Sequence, residues 1–342
     1  MLDVMAVYLG DRLGLYAALR DGGPATAPGL ASRAGIDERY AREWLEQQSV
    51  TGILQVDDVA AAPDERRYTL PEAYVDPLLN PDSPYSITPL ARSLVASAKV
   101  IPRLLEAYRT GGGVEWSDYG ADMIESQGDF NRPWLVNSFG SEILPAIPAV
   151  HERLRANPPA RVADVACGVG WAAIAIAKAY PDVTVDGFDL DESSITLARE
   201  NARGAGVSDR VTFERRDAAD HPAAGGQYDL AVIIEAIHDL SRPVEVLAAM
   251  RRVLRPGGSV LVADEKTEDT FTAPAGDVER LYYGFSLVTC LPAAMTERPT
   301  AATGTVIREE TMRRYAAEAG FTSTDRLDQP ELDMLRFYRL TP

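Results

Sequence analysis

His238-Asp239 sets an imidazole and a carboxylate side by side just after YDLAVII, an apolar run that reads as a buried strand. Imidazole, with an unperturbed pKa of ~6.5, is suited to taking a proton from a hydroxyl whose own pKa is ~10. A lone histidine after a strand also serves as a helix cap, so context has to decide. The chain has three histidines, and His151 and His221 stand in ordinary loop or helix positions. A second group lies upstream. Gly168-Val-Gly170-Trp-Ala-Ala173 follows the strand-like run RVADVA. Glycines at such a turn let a ligand approach the backbone, while the next helix points N–H groups at an anion. Asp189, nineteen positions after Gly170, closes the next strand-like run, where a carboxylate can hold ribose hydroxyls. Together these features predict a nucleoside-bearing cofactor; the G-x-G-x-x-A spacing also admits a nicotinamide dinucleotide.

Holding such groups in place takes a sheet. RVADVA, VTVDGF, RVTFER, YDLAVII and SVLVAD are five short β-rich runs, with helical stretches such as WAAIAIAKAY, SSITLARENARGAG and VEVLAAMRRVL among them. The alternation predicts an α/β fold with a mostly parallel, doubly wound sheet. TMRRYAAEAGF, TSTDRL and MLRFYRL add a helix and a terminal strand pair, the last strand antiparallel. Ahead of this region, APGLASRAG and IDERYAREWLEQQSVTG read as short helices, with Asp37 as an N-cap and Gly35 and Gly52 as stops. Strand-like ILQVDD and RRYTLP follow, separated by an acidic loop, which completes a winged-helix pattern. The expected divisions are a winged-helix domain over 1–90, connecting helices over 91–157, and the α/β domain over 158–342.

Charge narrows the partners. The chain carries 51 acidic and 34 basic residues, a net −17 over 342 residues, which argues against nucleic acid or an anionic membrane as a partner. Residues 1–90 hold seven basic and fourteen acidic side chains. In the helix that would read a DNA groove, Asp37, Glu38, Glu43 and Glu46 outweigh Arg39 and Arg42, and phosphates would be repelled. The winged helix therefore reads as a dimerisation platform, with a ligand-sensing regulator as the rival. Asp3 stands where a signal peptide needs basic residues, and no run approaches the ~20 apolar residues of a membrane span. A cytoplasmic protein is expected. Two cysteines are too few for a disulfide framework or a four-ligand zinc site, and Cys167 reads as a small buried residue. Asp264-Glu265 reads as a solvent pair at a strand end, so no metal is expected.

Further details favour S-adenosylmethionine. Asp164 stands inside the first strand in VADVACGVG, Asp217 closes the third in RRDAAD, and Pro256-Gly257-Gly258 turns into the fifth. Here residues 150–342 resemble the class I S-adenosylmethionine-dependent methyltransferases, with their Rossmann-like sheet. The resemblance implies that Asp164, Cys167, Gly168 and Gly170 face the methionine end of the cofactor. It puts Asp189 and Leu190 at the ribose, Asp217 and Ala218 at the adenine, and Glu235 in the pocket wall. Ala166 departs from a glycine usual in the family, and its methyl restricts the turn.

The winged helix ahead of this fold is similar to plant-type O-methyltransferases and their bacterial small-molecule relatives. Their general base lies in a His-Asp-Trp sequence after the fourth strand, so the resemblance implies His238 as base and Asp239 as its neighbour; Leu240 replaces the tryptophan. It implies a homodimer that methylates a small molecule, most simply at a hydroxyl. Amine or carbon acceptors and a non-methylating reaction stay open, as does a nicotinamide-dependent oxidoreductase. The segment Gly111–Trp134 carries three glycines and several aromatics. It reads either as a packed connection or as a cap over the site through Trp116, Tyr119, Asn131, Arg132 and Trp134. Tyr282, Tyr283 and Met295, near Cys290, line the substrate or pack the core.

Overall fold

The computed structural model describes residues 2–220, 226–327, 332 and 334–342. The chain divides into two compact units: Met1–Ala98 with Glu125–Trp134, and Lys99–Ile124 with Leu135–Pro342. The connecting helices expected over 91–157 are therefore shared between the two units, with a boundary inside one helix, Ala121–Trp134.

In the first unit, α1 (Leu2–Arg12), α2 (Leu15–Gly22), α3 (Ala27–Ala34) and α4 (Glu38–Val50) precede a two-stranded antiparallel wing, β1 (Gln55–Val56) and β2 (Tyr68–Thr69). Asp37 Oδ1 accepts the Arg39 amide at 2.9 Å and so starts α4. Gly35 ends α3 in the left-handed conformation, φ 66°. Tyr16 and Trp44 pack edge to face at the centre of this core, 5.1 Å between ring centroids. The wing is shorter than the two runs that announced it. Arginines on and around α4 are paired with acids: Arg39 with Glu43, Arg42 with Asp64, and Arg66 with Glu46.

The second unit holds a seven-stranded sheet. Its strands are β3 (Arg161–Val165), β4 (Thr184–Asp189), β5 (Val211–Arg215), β6 (Tyr228–Ile234), β7 (Leu254–Glu265), β8 (Ser323–Leu327) and β9 (Leu335–Thr341). They lie in the order β5-β4-β3-β6-β7-β9-β8, parallel through β7 and antiparallel at β9 and β8. The order reverses between β3 and β6, which opens a crevice at their carboxyl ends. Helix α5 (Trp171–Ala179) follows β3 and buries every residue from Ala172 to Ala177, so it is enclosed all round. Helix α6 (Glu192–Gly204) follows β4, starting on Asp191, whose side chain accepts the Ser194 amide at 2.6 Å. Helices α7 (Pro243–Val253) and α8 (Glu309–Glu318) pack beside the other half of the sheet. The five parallel strands, the terminal helix and the strand pair all follow the expected pattern.

Candidate active site

The turn after β3 is held by β4. The Cys167 amide donates to the Phe188 carbonyl at 3.0 Å, and the Gly168 amide donates to Asp189 Oδ2 at 2.8 Å. Asp189 Oδ1 takes the Asp191 amide at 2.9 Å, so the carboxylate is fixed at the strand end with its remaining lone pairs available. A Cβ on Gly168 would meet nothing within 4 Å, whereas one on Gly170, at φ +85°, would come within 2.5 Å of the Phe213 ring. Gly187 is equally close to that ring, at 2.4 Å. Phe213 thus fills the room two glycines leave, a role its place in a strand-like run did not disclose. Ala166 holds φ 53°, the left-handed region that a glycine would enter without strain.

Below the turn, Asp164 Oδ2 accepts the Ala173 amide at 3.0 Å. Burial raises the Asp164 pKa to about 7, against the lowering effect of that hydrogen bond, and the charge of Asp189 adds to the rise. Burial likewise raises Asp189, and it pushes the Cys167 thiol well up, as expected for a buried, unreactive cysteine. Leu190 is exposed beside Asp189, and its carbonyl accepts from Arg215. Asp217 Oδ1 takes the Ala219 amide at 2.8 Å, next to buried Ala218. Its other oxygen pairs with Arg242, a partner the sequence reading did not foresee.

A second cluster lies at the ends of β6 and β7. Glu235 follows β6 in a left-handed conformation, φ 46°, and its amide donates to the Ala263 carbonyl of the neighbouring strand at 2.7 Å. The chain then brings His238 inward, where the side chain is only 2% exposed. Its Nδ1 lies 2.8 Å from Asp264 Oδ1 and 3.0 Å from Glu265 Oε2, and its Nε2 lies 3.3 Å from Asp239 Oδ1. Asp264 and Glu265 are both buried, which corrects their reading as a solvent pair: β6 and β7 are parallel neighbours, so the loop after one meets the end of the other. Burial alone would lower the imidazole pKa, but Asp239, Asp264 and Glu265 outweigh it and hold His238 well above its ordinary value. Burial pushes Asp264 upward too; the His238 charge and hydrogen bonds overcome this and leave it below the usual carboxylate range. Burial pushes Glu265 well upward, against the lowering effect of the His238 charge, and the Asp264 charge adds to the rise.

Other expected residues distribute unevenly. Tyr119, in the turn Trp116–Tyr119, donates its hydroxyl to the Val288 carbonyl at 2.8 Å, and its ring lies 6.1 Å from that of Trp116. Burial and the neighbouring Cys290 and Asp239 raise the Tyr119 pKa, which sets this half of the Gly111–Trp134 segment beside the histidine cluster. Asn131, Arg132 and Trp134 belong to the first unit, where Arg132 pairs with Asp82 and Trp134 Nε1 donates to Asn131. Tyr282 is buried, donates to the Met334 carbonyl and feels Glu265, Glu235 and Asp264. Tyr283, by contrast, is exposed and accepts from Arg308. Met295 is half-buried, one turn after Leu291. His221 lies outside the described residues.

This fold, with its glycine turn, strand-end acids and reversed strand order, is that of a class I S-adenosylmethionine-dependent methyltransferase. Residues 162–258 match the family model described as a methyltransferase domain, and residues 2–78 match an Rv2258c-like winged HTH domain. Each of these two stretches is thus similar to a known domain: a methyltransferase domain behind a winged helix. Among curated relatives, methyltransferase GfsG of Streptomyces halstedii is 36% identical over 34% of this chain and 41% of its own length. The 27-O-demethylrifamycin SV methyltransferase of Amycolatopsis mediterranei is 34% identical over 35% of this chain and 44% of its own. The chain thus spans less than half the length of these relatives. A solved structure of PigF with SAH shares the fold at a TM-score of 0.74 and 19% identity, covering 100% of this chain and 96% of that one.

Of the two cofactors that the turn allowed, the match to a methyltransferase domain favours S-adenosylmethionine. The residues present fit it. Asp189 is fixed with acceptor capacity to spare, Gly168 leaves open space above the turn, and a buried acid, Asp164, waits where a cation would be welcome. Among the described residues no helix is long and apolar enough to cross a membrane.

Proposed function

We propose that this chain methylates a hydroxyl oxygen of a small organic molecule, with His238 accepting the proton. The contact that carries this reading is His238 Nδ1 to Asp264 Oδ1, 2.8 Å, at the end of the strand next to the cofactor-binding one. An Nδ1–H donated to a buried carboxylate fixes the ring and leaves Nε2 as the proton-accepting atom. The charges of Asp239 and Asp264 raise the imidazole above its ordinary value, which makes it a stronger base than free imidazole. Asp239, half-buried and next to Nε2, gives the proton a second carboxylate on its way outward. S-adenosylmethionine supplies a methyl group made electrophilic by its sulfonium. Asp189 and the Gly168 turn orient that cofactor, Asp164 faces its methionine end, and Tyr119, Trp116, Tyr282 and Met295 wall off the acceptor.

The test uses a panel of phenols, aliphatic alcohols, amines and activated carbon acids incubated with S-adenosylmethionine. Gain of one methyl by a hydroxyl compound, lost in His238→Ala, is the expected result. Methylation confined to amines or carbon would overturn the oxygen assignment. Unchanged turnover in His238→Ala would overturn the base.

The first unit supports a dimer reading. Leu2, Met5 and Leu9 on α1, with Leu13 just beyond it, are all exposed and recur at three- and four-residue spacing. A second copy covering this stripe would bury it. Leu9→Glu should convert a dimer into a monomer by sedimentation, and a wild-type monomer at high micromolar concentration would refute the assignment.

A further inference from the structure

One side chain beside the proposed base, the Cys290 thiol, has no part in the proposed transfer. Cys290 closes the π-helical turn Ser286–Cys290, an irregular winding that is frequent at functional sites. Its Sγ, an oxygen of Asp239 and a ring nitrogen of His238 all lie within 4.8 Å of one another. We propose that these three residues form a binding site for a divalent ion of the zinc class, with Asp264 as the outer carboxylate that aligns the histidine.

Four observations carry this. First, thiolate, imidazole and carboxylate are the donor types that zinc-class ions take, and shifts of about an ångström would bring these atoms to the ~2.0–2.3 Å of zinc bonds. Second, His238 gives Nδ1 to Asp264 at 2.8 Å, which turns Nε2 toward the other two ligands; a metal-bound histidine almost always has such a partner. Third, Asp239 Oδ1 is buried without a hydrogen-bond partner among the described residues, while the Cys290 thiol lies against the same carboxylate. Fourth, Thr305 is 2% exposed, and its hydroxyl has no hydrogen-bond partner other than the Cys290 thiol beside it. Asp239 and Cys290 are only half-buried, so an ion can reach the set. The ligands are a neighbouring pair and a cysteine some fifty positions on, a spacing that no linear metal motif reveals.

Binding displaces the Cys290 thiol proton and the proton that the raised His238 carries on Nε2, and releases both to solvent. It also occupies His238 Nε2, the lone pair that the proposed methyl transfer uses. Zinc-class ions therefore inhibit, a consequence that rests on the proposed function, whereas binding itself does not.

The experiment titrates the full chain, without cofactor or acceptor, with Co²⁺ and follows the thiolate-to-cobalt charge-transfer band. One equivalent bound is expected, with the band abolished in Cys290→Ser and kept in Cys167→Ser. Asp264→Asn should weaken binding by roughly 10–100-fold. A wild-type measurement needs no variant to fold: Zn²⁺ should protect Cys290, not Cys167, from alkylation mapped by mass. No cobalt band, a band that follows Cys167, or equal alkylation with and without Zn²⁺ would each overturn the site. If binding holds but Zn²⁺ leaves methyl transfer intact, the metal site stands and His238 is not the base.

Discussion

His238 and Asp264 meet at 2.8 Å with neither side chain more than 2% exposed. A histidine buried this fully needs a carboxylate to keep its orientation, and Asp264 can do so because β7 ends beside the loop that leaves β6. Asp264→Asn keeps the shape and removes the charge. We expect kcat to fall by an amount within the ~10²–10⁴ range of base catalysis, with S-adenosylmethionine affinity unchanged by calorimetry. Equal losses in kcat and cofactor affinity would instead mark Asp264 as structural.

Asp189→Ala removes the acceptor that the Gly168 and Asp191 amides hold in place. Hydrogen bonds to a charged group contribute ~1.5–3 kcal/mol, so binding of S-adenosylhomocysteine should weaken by roughly 10–100-fold. Undiminished affinity would remove the ribose assignment.

Ala166→Gly tests the strain at the end of β3. A non-glycine residue in the left-handed region costs ~1–2 kcal/mol, and glycine gives back part of that through greater freedom when unfolded. A net gain of about 1 kcal/mol, or about 2 °C in Tm, is expected from thermal melts. A fall in Tm would show that the methyl packs usefully.

Asp164 makes a pH prediction. Its pKa in the folded chain, about 7, lies above its unfolded value, so its contribution to stability is full below the unfolded pKa and disappears as pH rises through 7. Asparagine can still accept the Ala173 amide but never ionises. The Tm of Asp164→Asn relative to wild type should therefore climb between pH 5 and pH 8 without cofactor. A constant difference across that range would contradict the raised pKa.

Much of the fold was legible because the parallel strands are short, apolar runs: β6 from Tyr228 to Ile233 is buried throughout. The geometry of the glycine turn was legible for a similar reason, since Gly168, Gly170 and Asp189 lie within one strand-helix-strand stretch. What stayed hidden depends on neighbours in space. Nothing near Asp264 in the chain says that His238 arrives from the adjacent strand, and Asp264-Glu265 looks like any polar strand end. Cys290 meets His238 and Thr305 only through folding. In the middle of the chain, contact between segments splits the connecting helices between two units, which depends on neighbours in space.

β7 carries Asp264 and Glu265 and is flanked by β9, where Arg336 donates to the Thr267 carbonyl sixty-nine positions away. The cofactor turn is closed by Gly168 and Asp189, only twenty-one positions apart. Near contacts close more readily than distant ones. In pulse-labelled hydrogen exchange during refolding, the Gly168 amide should accordingly gain protection before the Glu265 amide; the reverse order would refute this. On the proposed function, a chain caught between those two events would hold its cofactor with no means of spending the methyl group, a reservoir before it is a catalyst.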